Sequence, residues 1–313
     1  MTGASGFLGR RLVDSLTSAG HDVSVLVRSV DQAPPGTRPV AGRLEDISSW
    51  ESRLEGIDAV VHLASIIDRW GPWQRFETII VEGTRLLLDA ADRHGVRRFV
   101  HISSESVMQH GQPLIDVDET YPLPATASSF YGQAKLLAEK AVLGHRGDIE
   151  TIILRPTYIW GPDSPPLHEL ADRARAGTMP LIDHGRHVIE HIHVDNAVAA
   201  TTLALTHGKP RGVYLITNGE PMSARDFLSG VLGALGAPLP SRSLPSALAF
   251  PVARVGEGVW RGLHLSGRPP VTRFEVEFLA LPRKFDITRA RSELDYQPRT
   301  TFQDGLAGLA RHS

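Results

Sequence analysis

The chain has 313 residues, 42% hydrophobic and 22% charged, enough for one large domain or two closely joined ones around a sizeable core. A formal charge of −2 supplies no cationic field for general nucleic-acid binding. The absence of cysteine excludes disulfides, thiolate metal sites and cysteine nucleophiles, and is compatible with the reducing cytoplasm in which a soluble protein is expected.

Met1-Thr2-Gly3 leads straight into a glycine motif, and no targeting segment is expected. In TGASGFLG (residues 2–9) glycines stand three apart. Phe7, Leu8, Leu12, Val13 and Leu16 then repeat at helical spacing. Glycine permits a tight turn and lets backbone amides approach a pyrophosphate at a helix N-terminus, where the dipole favours negative charge. Such a motif normally follows a strand, and almost nothing precedes it here. A first strand of about half a dozen residues is therefore expected upstream of Met1, since without it two neighbouring strands lose backbone partners.

Short apolar runs follow at 23–27, 58–64, 99–103 and 151–154, as in strands buried on both faces of a parallel sheet. Helical patterns alternate with them, including 84–94 closed by Gly95. The rhythm predicts an α/β fold, a doubly wound parallel Rossmann sheet with a smaller, interleaved C-terminal substrate-binding region. After Pro156 proline and glycine cluster, at Gly161-Pro162, Pro165-Pro166 and Pro180. A strand at 212–217 and a helix near 223–235 are assigned to the smaller region, while 191–205 is expected to return to the main sheet. The Rossmann domain then comprises 1–160 plus about 190–206, and the substrate region 161–189 plus 207–313. The apolar stretch 244–260 is broken by Pro251, Arg254 and Glu257 and falls short of the ~20 residues of a membrane span.

The second strand ends in Val27-Arg28. An NAD enzyme usually carries an acidic residue there for the ribose 2′-hydroxyl, whereas arginine pairs with a 2′-phosphate, so NADP is favoured over NAD. Tyr131 and Lys135 lie four apart on a helical pattern and share a face. A nearby ammonium is expected to lower the phenol's pKa and fit Tyr131 to exchange a proton with an alcohol or ketone. Ser104, at the C-terminal end of a strand, is placed to orient the substrate oxygen.

The motifs TGASGFLG, VVHLAS, VEGTRLLLDAA, FVHISS, YGQAK, LRPTYIWGP, HIHVDN and FDITRARSELDYQP occur in order from Thr2 to about Pro298. Together they resemble the extended short-chain dehydrogenases/reductases. The resemblance implies Tyr131 as acid/base, Ser104 as its substrate-orienting partner and Lys135 as a further ligand of the nicotinamide ribose. It implies cofactor contacts from Gly3, Ser5, Gly6, Phe7, Leu8, Gly9, Arg28, Leu63, Ala64 and Pro156, and a possible homodimer through two helices, one carrying Tyr131.

Departures narrow the chemistry. Nucleotide-sugar epimerases carry a diphosphate-gripping arginine just before the strand matched by 191–193, and Ile189 or its neighbour stands there. Dehydratases follow their serine or threonine with Asp-Glu, and here Glu105-Ser106 follows. Arg43 replaces an adenine-contacting aspartate and Ile80 a structural asparagine. What remains resembles the 3β-hydroxysteroid dehydrogenase-like branch, implying a small apolar substrate. Loop 66–73, with Trp70 and Trp73, and residues Tyr158, Ile159 and Trp160 are candidates for an apolar pocket. The alternatives are a nucleotide-sugar epimerase and a non-catalytic, NADP-sensing binding protein. His191, His193 and Asp195 read as structural and no metal site is expected. His62 reads as a satisfied buried histidine, and Arg97-Arg98 as a solvated edge.

Overall fold

The computed structural model describes residues 1–66, 70–263 and 265–311. Its main sheet contains β1 (Ser24–Val27), β2 (Arg38–Ala41), β3 (Ala59–His62), β4 (Arg98–Ile102), β6 (Glu150–Pro156) and β11 (Gly212–Ile216), all paired in parallel. Thr2 sits between β1 and β3, bridged to Leu26 on one side and His62 on the other. The order is β2-β1-Thr2-β3-β4-β6-β11. Where a full central strand was expected, one residue joins the two halves: Thr2 N donates to Val61 O (3.0 Å) and Leu26 N to Met1 O (2.9 Å).

The near-continuous apolar strands follow from burial on both faces. Val100, Ile152 and Leu154 join α1 (Phe7–Ser18) and α6 (Val194–Leu203) in one core. Their neighbours Phe99 and Ile153 face α3 (Gly83–Arg93) and the Val142 end of α4 (Phe130–Gly144) in another. Between β3 and α3 the chain forms the short helix α2 (Trp73–Phe76) and a π-helical turn. His62 is satisfied on this second face, with Thr2 Oγ1 at 2.7 Å and Thr84 Oγ1 at 2.9 Å.

Two sequence assignments change. β11, placed with the substrate region, is the edge strand of the main sheet, because α6 packs on α1 and carries the chain back to pair with β6. The returning segment enters that sheet only as a helix: β10 (His191–His193) pairs instead with β7 (Tyr158–Trp160) in a separate two-stranded sheet. Arg98 is no solvated edge either. It donates to Glu150 (2.6 Å) and to the carbonyls of Ala204 and His207, tying the end of α6 to the sheet, while Arg97 stays exposed beside Asp58.

The smaller region packs α5 (Pro165–Arg175), α7 (Ala224–Ala234) and α11 (Phe302–Arg311) around Trp160, Phe227 and Phe302. Short strand pairs stitch it together: β8 (Leu181–Ile182) with β13 (Ser243–Leu244), and β9 (Val188–Ile189) with β12 (Met222–Ser223). β5 (Leu114–Val117) pairs with β14 (Arg283–Phe285), just before α10 (Thr288–Glu293). Helices α8 (Ser246–Gly262) and α9 (Arg273–Ala280) pack on each other beside β8.

Candidate active site

A cavity of about 790 Å³ opens along the C-terminal ends of the main strands, where a doubly wound sheet binds its ligands. Every residue expected from the sequence to be catalytic or to touch the cofactor lines it: Gly3, Ser5, Gly6, Phe7, Leu8, Gly9, Arg28, Leu63, Ala64, Ser104, Tyr131, Lys135 and Pro156.

At one end, the glycine loop turns into α1. Gly3 has φ +71°, and a Cβ there would lie 2.8 Å from the backbone of Leu63 and Ala64. A Cβ on Gly9 would come within 2.1 Å of Gly3 O, so the helix start fits only against a bare backbone. Gly6 caps α1 without a side-chain hydrogen bond, and the first turn carries no acidic residue. The orphan amides of that turn thus face the cavity with no carboxylate of the first turn to satisfy them.

At the other end, Ser104 caps the turn that follows β4, accepting a hydrogen bond from Ser106 N (3.2 Å). Ser129 caps α4 by accepting one from Gly132 N (3.0 Å), which sets Tyr131 in the first turn. Beneath them Glu139 of α4 pairs with Arg155 of β6 and accepts from Ser103 Oγ (2.8 Å), all buried, which locks the helix onto β4 and β6. Ser104 and Tyr131 line the same stretch of the cavity, the Ser104 hydroxyl facing the phenol closely enough to favour its ionised form.

The expected lowering of the Tyr131 pKa is not found. Burial pushes it up to about 12; the Ser104 hydroxyl opposes this and the Glu105 charge adds to it. Lys135 shares the helix face, but its ammonium donates to Ile102 O (2.7 Å) rather than acting on the phenol. Burial lowers the Lys135 pKa from 10.5 to about 8. Tyr131 is therefore a phenol at neutral pH, the form that can donate a proton.

With that geometry in place, the sequence comparison decides the family: residues 1–217 match the NAD dependent epimerase/dehydratase family. The chain belongs to that family. Among its relatives is a 4-hydroxy-2-methyl-3-oxo-4-farnesyl-3,4-dihydroquinoline-1-oxide ketoreductase of Stigmatella aurantiaca. The two are 34% identical over 99% of this chain and 94% of that one. A 3-beta-hydroxysteroid dehydrogenase of Mycolicibacterium neoaurum is 32% identical over 98% of this chain and 88% of that one. A solved short-chain dehydrogenase/reductase superfamily protein of Agrobacterium tumefaciens, with bound NAD, superposes with a TM-score of 0.76. It is 26% identical and covers 99% of this chain and 95% of that one.

The site residues fit the dinucleotide of this family. The uncapped α1 start and the Cβ-free loop suit a pyrophosphate. Ser65, Thr157 and Ser164 supply buried hydroxyls on the cavity wall with no hydrogen-bond partner among the described residues, ready for a polar ligand. Sequence reasoning missed these three, since a lone hydroxyl after a strand carries no signal of its own. It also missed the second arginine's setting: Arg28 and Arg43 follow the ends of β1 and β2, which are neighbours joined by Gly42 N donating to Val27 O (2.9 Å), and both line the cavity. Among the described residues neither forms an ion pair.

The apolar wall differs from the one expected. Ile66, Tyr158 and Ile159 line the cavity, with Met179, Phe227, Leu228, Val271, Phe274 and Phe278 from the smaller region. Trp160 is instead fully buried in the second core, Trp70 lies under the Arg261 guanidinium (4.8 Å) and Trp73 packs edge-on against Phe130. Residues 67–69 of that loop lie outside the described residues. His191 and His193 sit in the second core, His191 Nδ1 accepting from Trp160 Nε1 (3.0 Å).

Proposed function

We propose that the chain is an NADP(H)-preferring oxidoreductase that interconverts a ketone and a secondary alcohol on an apolar substrate, as the 3β-hydroxysteroid dehydrogenase-like branch does. The observation that carries this reading is that Ser104, Tyr131 and Lys135 line one cavity with a phosphate-ready loop at one end and an aromatic and aliphatic wall at the other. The named activities of the ketoreductase and steroid dehydrogenase relatives support it.

When bound, the nicotinamide supplies or accepts the hydride. Ser104 holds the carbonyl oxygen beside the phenol, and Tyr131 donates its proton to that oxygen as the carbon is reduced, or takes it back in oxidation. Burial raises its pKa, so Tyr131 holds its proton at neutral pH, the form needed to donate it. Lys135, on the same helix face and on the cavity wall, is the cation available to hold the ribose. The apolar wall excludes water from the reacting carbon.

Ile189 is buried and apolar where the diphosphate-gripping arginine of nucleotide-sugar epimerases was sought, which supports an uncharged substrate. Arg28, joined by Arg43 at the neighbouring strand end, supports a 2′-phosphate. The test is to titrate NADPH and NADH separately. NADPH should bind more tightly by about 1–2 kcal/mol, and Arg28→Asp should abolish that advantage. Tighter NADH binding, or NAD that survives dialysis, would reject the NADP reading and favour an epimerase.

A further inference from the structure

Nine large apolar side chains stand exposed among the described residues, and six of them fall on α8 and the segment just after it. Leu248, Val252, Val255 and Val259 follow at spacings of four, three and four, so they form one stripe along the helix. They are 57%, 57%, 65% and 41% exposed, and Leu263 (67%) and Leu265 (42%) extend the stripe. The opposite face, Ala249, Ala253 and Glu257, is buried against α9 and the cavity, which Ala249 itself lines.

Charge on the helix is sorted in the same way. Its one acidic residue, Glu257, is turned inward, where it accepts from the Arg273 backbone (2.8 Å) and side chain (2.9 Å). Of its two arginines, both exposed, Arg254 has no ion pair among the described residues, while Arg261 reaches back to Glu257 (3.9 Å). Arg261 also lies over the rings of Trp70 (4.8 Å) and Phe130 (4.4 Å), the residue just before Tyr131. The outer surface of α8 is thus apolar and cationic, on a chain whose formal charge is −2. That combination is unfavourable in water and complements an anionic lipid surface, into which an amphipathic helix lies flat. No helix among the described residues is long and apolar enough to cross a membrane.

We propose that α8 docks on the surface of an anionic lipid bilayer, with its apolar stripe among the acyl chains and Arg254 at the headgroups. The substrate cavity behind the helix then adjoins the phase in which an apolar substrate dissolves. That last step rests on the proposed function, whereas the docking itself rests on the helix alone.

The test is co-sedimentation of the full chain with vesicles of phosphatidylcholine containing phosphatidylglycerol, and with vesicles of phosphatidylcholine alone. The chain should partition onto the anionic vesicles, on the order of tenfold more weakly onto the neutral ones, and less as salt is raised. Val252→Glu with Val255→Glu should weaken partition on the order of tenfold or more, with the same thermal unfolding and the same turnover of a water-soluble ketone. Arg254→Glu gives a second, milder reading should the double variant fold poorly, with an expected loss on the order of tenfold. A chain that stays in solution with anionic vesicles, or variants that bind as the parent does, would overturn the proposal. So would a dimer in lipid-free solution that the double variant dissociates, with no vesicle binding, which assigns the stripe to a second copy. Partition is read without cofactor or turnover, so its failure leaves the oxidoreductase reading standing, and the reverse.

Discussion

Replacing Lys135 by methionine separates what the site costs from what it does. In the folded chain the Lys135 ammonium is fully buried, held by Ile102 O at 2.7 Å, and desolvation lowers its pKa from 10.5 to about 8. The folded state therefore holds this proton less tightly than the unfolded state. Below pH 8 both states are protonated, and the burial penalty is present in full. Between pH 8 and 10.5 the folded state releases the proton first, and the penalty is progressively relieved as pH rises. The span from 10.5 to about 8, at about 1.4 kcal/mol per pH unit, amounts to roughly 3 kcal/mol. Against this, the variant gives up a charged hydrogen bond of about 1.5–3 kcal/mol. At pH 7 Lys135→Met should accordingly be as stable as the parent or slightly more so, and inactive. Urea unfolding of both proteins, with no cofactor added, measures the difference across pH. The parent should gain roughly 3 kcal/mol on the variant between pH 8 and 10.5. A difference that stays flat through that window, or a variant several kcal/mol less stable at pH 7, would refute a desolvated lysine and leave an ordinary packed one.

Tyr131→Phe removes the proton donor while keeping the ring that meets Phe274 edge-on, so turnover should fall by about 10²–10⁴ with NADPH affinity unchanged, read by steady-state rates and fluorescence titration. Gly9→Ala drives a Cβ onto Gly3 O, so NADPH should bind on the order of tenfold more weakly while the strands keep their fold by circular dichroism. Glu139→Ala strands the buried Arg155 charge and should cost about 3–5 kcal/mol in urea unfolding, while Glu139→Gln, which keeps hydrogen-bonding capacity, should cost less.

That the residues assigned to the cofactor would line one cavity was legible because their determinants are local. The glycine loop, the strand-end Arg28 and the four-residue step from Tyr131 to Lys135 each declare their geometry within a few residues, and the alternation of strands and helices then brings them to one sheet edge. What escaped depends on distance along the chain. β11 joins the main sheet through a partner some 60 residues earlier, and nothing in 212–217 distinguishes that pairing from a strand of the smaller region. Arg98 reads as a surface cation until the end of α6 arrives to accept its hydrogen bonds.

The pKa of Tyr131 failed for a related reason. Spacing alone puts an ammonium on the tyrosine's face, but a lysine side chain is long, and the Ile102 carbonyl at the end of β4 captures it. Burial is then the larger influence on the phenol. The substrate wall is the extreme case. Phe227, Val271, Phe274 and Phe278 converge on one cavity, yet Phe227 is a core position of α7, Phe274 and Phe278 are half-buried on α9 and Val271 lies just before it, so no sequence pattern joins them. Their convergence on a wall exists only once α7 and α9 have packed within the smaller region. Specificity in such a chain is written in residues that carry no motif, and changing it requires altering the packing of the smaller region rather than the Ser104–Tyr131–Lys135 group.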